Sequence, residues 1–316
     1  MKKWIKFELS IVVFAIVVFL ITSCKDKIVT NNPEAIVTLD APIIQQKRPL
    51  STEFKKYWYS GNAEITSYTL EQARYGELRE GNAILIYVTE PFLANQQVKA
   101  DQNNSDNIPV LKLNSTKNYL TGIYPYSIMT SSFYPVHDNS HALKVSFSAQ
   151  EWCGHVYAQL NNKDKFNVVS HSYFANEADQ EFSLEKTILE NEIWNKIRIN
   201  PSDLPLGAHK IIPSFEFLRL RHKELKAYDA VAKLEVLSEG ISTYTMVYPE
   251  LERTLTINFT TSFPHSIESW SEIFESGFGA NSKLMTTMAT KNKSIITPYW
   301  QQNKNSDLFL RDSLGL

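Results

Sequence analysis

Residues 150–160 read QEWCGHVYAQL and alternate between two sets of side chains with a period of two. That period is typical of a β-strand, in which successive side chains point to opposite faces of the sheet. The polar set on one face is Glu151, Cys153, His155, Tyr157 and Gln159. The stretch therefore predicts a half-buried strand with one polar face, and it favours a mainly β fold.

Runs rich in β-branched and aromatic residues recur on both sides of this stretch. Residues 83–89 are apolar on both faces, which is typical of a central strand. Residues 110–114 and 118–124 predict a hairpin that turns at 115–117, and residues 215–221 predict a further strand.

Residues 183–198 predict the one convincing helix of the chain. Ser183 can cap it, and Pro201 ends it. Its apolar stripe, at helical spacing, is Leu184, Ile188, Leu189, Ile193, Trp194 and Ile197. Residues 266–275 could form a second, short helix. The predicted fold is mainly β (α+β), a large curved antiparallel sheet or half-barrel with one packed amphipathic helix.

The first 23 residues have the layout of an export signal, with lysines ahead of an apolar run at 9–21. That run of about 13 residues is shorter than the ~20 that a membrane span requires. Ser23-Cys24 resembles the bacterial lipoprotein pattern, in which the chain is cut before a cysteine that carries lipid, including palmitate. The alternatives are an uncleaved membrane anchor or a signal peptide in which Cys24 is incidental.

Lys25 and Asp26 resemble the signal that carries lipoproteins to the cell surface, although Lys27 departs from that pattern. The expected location is the outer membrane, with a lipid anchor at Cys24 and a body that faces the periplasm or the cell surface. The predicted divisions are a signal peptide (1–23), a lipidated cysteine and tether (24–50), a β-rich body (51–300) with a possible subdivision near 183–207, and a polar C-terminal tail (301–316).

The charge of the chain is close to balanced, with 32 Lys+Arg against 34 Asp+Glu. Nucleic-acid-binding proteins usually carry a basic stripe, so no nucleic-acid partner is predicted. If Cys24 carries lipid, Cys153 is the one remaining cysteine. No disulfide can then form within the chain, and a lone thiol is expected to be buried.

The strongest candidate for chemistry is a polar-face site made of Glu151, Cys153, His155 and His171. In a thiol-dependent enzyme, Cys153 would be the nucleophile. His171, on the next strand, is a better base than His155, because residues two apart on a strand lie roughly 7 Å apart at the base. No thiol-enzyme signature surrounds the cysteine, and the spacing matches no known metal site. The sequence predicts no metal and no cofactor.

Four segments of the chain resemble a family of uncharacterised bacteroidete lipoproteins: YPYSIMT (124–130), QEWCGHVYAQL (150–160), SFPHSIESW (262–270) and LRDSLGL (310–316). Some members carry the label septum formation inhibitor Maf. Maf proteins are cytosolic nucleotide pyrophosphatases with a Ser-Pro-Arg-Arg type loop, and this chain has an export signal in place of that loop. The resemblance therefore implies a compartment and no mechanism.

Three functions are consistent with these features. The first is a carrier whose curved sheet encloses a lipid or another apolar or envelope-derived ligand. The second is a structural or interaction lipoprotein that docks onto another envelope protein through strand edges or aromatic patches. The third is the thiol-dependent enzyme. A dry, closed barrel with a conspicuous apolar surface patch would favour docking over carriage.

Overall fold

The computed structural model describes residues 48–102, 104–237 and 240–316. They form a mainly β unit, which confirms the predicted fold class. Its strands are β1 (Ala63–Arg74), β2 (Glu77–Leu93), β3 (Val98–Lys99), β4 (Ile108–Thr121), β5 (Tyr124–Pro135), β6 (Lys144–Glu151), β7 (Gly154–Asn162), β8 (Phe166–Ser172), β9 (Gln180–Leu184), β10 (Ile188–Leu189), β11 (Gly207–Ile212), β12 (Tyr228–Val236), β13 (Ile241–Tyr248), β14 (Arg253–Thr260), β15 (Ile267–Ser276) and β16 (Lys283–Thr297). Its helices are α1 (Thr52–Trp58), α2 (Glu190–Ile199), α3 (Phe215–Leu220) and α4 (Phe309–Leu314).

All sixteen strands belong to one curved sheet. The order across it is β10-β11-β12-β13-β14-β15-β16-β1-β2-β4-β5-β6-β7-β8-β9, and β3 pairs with β2. Neighbours are antiparallel except β10 and β11. The two edge strands, β9 and β10, are separated in sequence by residues 185–187 only. Because so short a link spans about 14 Å at most, the sheet curls until its edges approach each other.

The strands define two ends of this curled sheet. Six neighbouring hairpins, β13–β14, β15–β16, β1–β2, β4–β5, β6–β7 and β8–β9, all turn at one end, which is called the tip end. The described chain begins at the opposite base end, where the Arg48 side chain pairs with Asp203 and its backbone N–H donates to His137. The two ends are separated by the length of the longest strand, β2, about 55 Å for its 17 residues.

Helix α2 lies on the inner face of the sheet, and nine of its ten residues are buried. Its sequence suits a helix, because acidic residues occupy the first turn and basic residues the last, opposite in sign to the helix dipole. Ile193 and Ile197 are fully buried in the apolar core. The Asn195 amide donates to the carbonyl of Leu111 on β4 (2.8 Å), which fixes the helix against the sheet.

Two buried ion pairs join the ends of α2 to opposite parts of the sheet. Near the N-terminus, Glu190 accepts two hydrogen bonds from Arg253 on β14, at 2.5 and 2.7 Å. Near the C-terminus, Arg198 donates two hydrogen bonds of 2.6 Å to Glu64 on β1. Each pair satisfies a charge that would otherwise be costly to bury. The sequence suggested a possible subdivision near 183–207. In the structure this segment contains α2, which lies at the centre of the unit.

Four elements differ from the predictions. The helix predicted over 183–198 begins at Glu190, and the residues before it form β9 and β10. Residues 215–221 form α3 and not a strand, whereas residues 266–275 belong to β15 and not to a helix. The hairpin predicted around 115–117 is the single long strand β4.

The C-terminal tail ends in α4, and Leu314 packs with Ala63, Ile65 and Val88 in a small second apolar cluster. The predictions of a signal peptide, of lipid on Cys24 and of an export signal at Lys25 and Asp26 all lie outside the described residues. Within the part of the chain that the structure describes, no helix has the length and apolar character that crossing a membrane requires.

Candidate functional site

Large apolar side chains are exposed at four of the six hairpin turns of the tip end. They are Ile123 (83% exposed), Trp152 (67%), Tyr173 (68%) and Phe278 (65%), and they are called the tip set. The β1–β2 turn carries the half-buried Tyr75, whose ring lies 5.9 Å from that of Phe278. Because neighbouring hairpins lie about 10 Å apart, the tip set forms an arc around this end of the sheet.

Local turn geometry explains why large residues occupy these positions. Gly122 precedes Ile123 and takes a positive φ of 61°, and Gly277 precedes Phe278 with a φ of 108°. A Cβ atom on Gly277 would lie 2.5 Å from the carbonyl oxygen of Asn281, so the turn requires glycine there. Each glycine adopts the backbone conformation that the turn requires, and the side chain of the next residue projects into solvent.

The four predicted site residues are not brought together. Trp152 and Cys153 form the turn between β6 and β7, so the predicted continuous strand over 150–160 is wrong. Glu151 pairs with Gly154 and lies on the inner face, whereas His155 pairs with Gln150 on the outer face. His171 lies on β8 opposite Tyr157, and its Nδ1 atom lies 3.2 Å from a carboxylate oxygen of Asp179.

Cys153 is exposed, contrary to the expectation that it would be buried. A turn position offers no core to pack into, which accounts for the difference. The hydrogen bond and the negative charge of Glu151 raise the pKa of the Cys153 thiol, which lowers its thiolate fraction. Among the described residues, no group of three His, Cys, Asp or Glu side chains could hold a metal ion.

A polar groove of about 490 Å³ adjoins the tip set, between edge strand β9 and the segment after α3. Glu177 in this groove accepts hydrogen bonds from Arg219 and from His222, the latter at 2.7 Å. Partial burial opposes ionisation of Glu177, but hydrogen bonds from Ser172 and His222 and the charge of Arg219 hold its pKa below the usual range. The ring of Phe174 lies 4.8 Å from that of His222, so the groove is continuous with the tip end.

The interior of the sheet is filled. Aromatic side chains from the sheet and α2 pack there, including Trp194 and Trp270 with ring centroids 5.3 Å apart. One internal cavity of about 60 Å³ lies beside α2. It is lined largely by polar side chains and has room for only about four water molecules. A cavity of that size and polarity does not suit an acyl chain.

No family model matches the chain. No curated protein matches it either. Among solved structures, a porin-like protein from Bacteroides uniformis aligns with 73% of this chain and 96% of its own, at 9% identity and a TM-score of 0.23. A likeness at that TM-score carries no argument, so the function is inferred from geometry.

The predicted polar face did not reveal the tip set. A signal was present in the sequence, because large apolar residues stand directly after glycines at positions 123 and 278, where turns usually carry small or polar residues. Finding it required knowing that the turns of the tip set lie at one end of the sheet.

Proposed function

We propose that this chain is a lipid-anchored interaction protein of the outer membrane that docks onto another envelope protein through the tip set. The observation that carries the proposal is the exposure of large apolar residues on four turns at one end of a filled sheet. Contiguous exposed apolar side chains usually mark an interaction site in a folded protein. Trp and Tyr are also enriched among the residues that dominate binding energy at protein interfaces.

The position of the tether supports a partner away from the anchoring membrane. The described chain starts at the base end, so a lipid on Cys24 would hold that end towards the membrane. The tip set lies at the other end of the sheet, about 55 Å away by the length of the longest strand.

Charge near the tips favours a protein partner over a lipid surface. Exposed carboxylates of Glu77, Asp179 and Glu275 lie in or beside three of the turns. Anionic lipid headgroups attract basic segments and repel acidic ones. A protein surface can instead offer matching basic groups around an apolar centre, as interfaces commonly do.

Carriage of an apolar ligand, the first function considered from the sequence, has less support. An apolar carrier pocket usually has a volume of about 300–1,000 Å³. The cavity beside α2 is far smaller and polar.

The test is photo-crosslinking in intact cells of a related host, with a benzophenone amino acid placed at position 123. The matched site is position 296, where an isoleucine is also exposed but lies at the base end. We expect a discrete protein adduct from position 123 and none from position 296. The adduct should weaken in Trp152→Ser and Phe278→Ser and persist in the base-end controls Trp300→Ser and Phe309→Ser.

Each other outcome counts against docking at the tips. Adducts of equal yield from both positions would indicate non-specific contact. An adduct with the mass of a lipid would replace the protein partner with a membrane surface. Retention of the adduct in both tip variants would show that the tip set is not part of the interface.

A further inference from the structure

The inner face of β4 and β5 carries polar residues in the middle of an otherwise apolar surface. Ser115 pairs with Thr130, and the neighbouring positions on the same face hold Lys117 and Ser132. Core positions of a sheet are normally apolar, so polar residues there call for partners. They line the 60 Å³ cavity beside α2.

The walls of this cavity contain more carboxylates than cations. Three carboxylates, those of Glu190, Glu216 and Glu272, face two cations, Lys117 and Arg253. Lys117 donates to Glu216 at 2.7 Å. Arg253 uses its Nη1 and Nη2 atoms on Glu190 and its Nε on Glu272, the latter at 2.5 Å.

Among the charged groups that line the cavity, carboxylates outnumber cations by one, while the charge of Arg221, outside the lining, also acts on Glu272. Each of the two cations is already engaged by a carboxylate, and Glu272 shares Arg253 with Glu190. An uncompensated charge in a low-dielectric interior is costly. A bound monocation would compensate it.

An unpaired hydroxyl group lies at the same place. Ser132 is 1% exposed and lines the cavity, and its Oγ has no hydrogen-bond partner among the described residues. Buried hydroxyl groups nearly always find a partner. The cavity lining also includes the apolar and aromatic side chains of Leu255, Trp194 and Trp270. Aromatic faces attract organic cations.

We propose that this cavity binds a small organic monocation, namely a primary ammonium ion of about four non-hydrogen atoms. Its N–H groups would donate to the free carboxylate oxygen of Glu272 and to the hydroxyl of Ser132, and its carbon atoms would contact the tryptophan rings. The size follows from the cavity volume, which corresponds to about four water-sized volumes. The cavity is separate from the tip set. Cation binding can therefore be tested independently of the proposed docking function.

The test uses the full-length protein in detergent and ethanolammonium chloride as the probe. Thermal unfolding is followed over increasing probe concentration at constant ionic strength, with sodium chloride and sodium acetate as reference salts. We expect the Tm to rise with ethanolammonium only, because a ligand that binds the folded state raises stability with its concentration. Isothermal titration should give one site per chain.

Two variants and one control locate the site. Glu272→Gln removes the excess charge and should weaken binding at least about tenfold, as expected for a hydrogen bond to a charged group. Ser132→Ala should weaken it about threefold, and it serves as the second variant if Glu272→Gln does not fold. Glu275→Gln alters an exposed carboxylate on the same strand and should bind as the wild type does.

Three results would overturn the proposal. Equal Tm values in ethanolammonium and sodium chloride would mean that the cavity holds water only. An equal rise in acetate would indicate an anion site. Unchanged affinity in both Glu272→Gln and Ser132→Ala would place any bound amine elsewhere.

Discussion

Replacement of Arg198 by methionine should lower the free energy of unfolding by about 3–5 kcal/mol. The Arg198 side chain is 1% exposed and its partner Glu64 is 4% exposed, so the variant leaves a carboxylate buried without a cation. Methionine keeps part of the packing against Trp58 and Tyr87, whose ring centroids lie 4.9 and 4.7 Å from the guanidinium carbon. The loss is therefore mainly electrostatic.

The loss of stability in Arg198→Met should depend on pH. Burial alone would raise the pKa of Glu64, but the charge and hydrogen bonds of Arg198 and the hydrogen bond from Tyr57 hold it below its usual range. A carboxyl whose pKa is depressed by folding stabilises the protein above its unfolded-state pKa, and this contribution is lost as the pH falls through the folded-state pKa. The difference between wild type and variant should thus be largest at neutral pH and shrink below about pH 4.

Thermal and urea unfolding at pH 7.5 and at about pH 3 measure both effects. For a chain of this size, a loss of 3–5 kcal/mol corresponds to a decrease in Tm of about 6–10 °C. Arg311→Met, at an exposed position of α4, is the matched control and should change stability by less than about 0.5 kcal/mol. A decrease below 1 kcal/mol for Arg198→Met, or a difference independent of pH, would refute the assigned role of the pair.

Three further outcomes are expected. Gly81→Ala should destabilise the protein by about 1–3 kcal/mol in urea unfolding, because a Cβ atom there would lie 2.8 Å from Cβ of Tyr119; wild-type stability would contradict this. Leu314→Ala should cost about 2–3 kcal/mol, since that side chain fills the cluster beneath α4, and an unchanged Tm would show that α4 is dispensable. Cys153 should react with maleimide in the folded protein, and it should react faster at pH 7.5 in Glu151→Gln, because the pKa of the thiol falls when the carboxylate is removed. Equal rates in the two proteins would show that Glu151 does not affect the thiol.

Much of the sheet could be predicted because its inner face is apolar and its strands alternate. The failures occur where polar or irregular positions interrupt that pattern. Ser115 and Lys117 suggested a turn, yet both lie on the inner face of β4 and line the polar cavity. A strand whose buried face is polar for the sake of a site cannot be distinguished from a turn by composition.

Strand β15 was predicted as a helix for a geometric reason. Its pairing with β14 shifts register between Asn258 and Phe259, as a β-bulge does. The extra residue places Ile267 and Trp270 three positions apart on one face, which imitates helical spacing. Conversely, α3 has only six residues, too few for a period to be recognised. The feature of the sequence that indicates α3 is Ser214, which caps the helix by accepting a hydrogen bond from the Phe217 N–H.

The site was less predictable than the fold. Alternation correctly placed His155 and Tyr157 on one face of β7, but it could not show that the chain reverses at Trp152 and Cys153. The tip set depends on four turns that lie at one end of the sheet, and that arrangement follows from strand pairings that join distant parts of the sequence.

Strand β1 lies between β2 and β16, so the first strand of the sheet pairs with the last. Thr66 and Ser294, whose hydroxyl groups are 2.9 Å apart, are 228 positions apart in the chain. Contacts between such distant residues slow folding, because a long loop must close first. Until β16 has been synthesised, one edge of β1 remains open to wrong pairing. The first strand of the sheet therefore completes its pairing only when nearly the whole chain has been made.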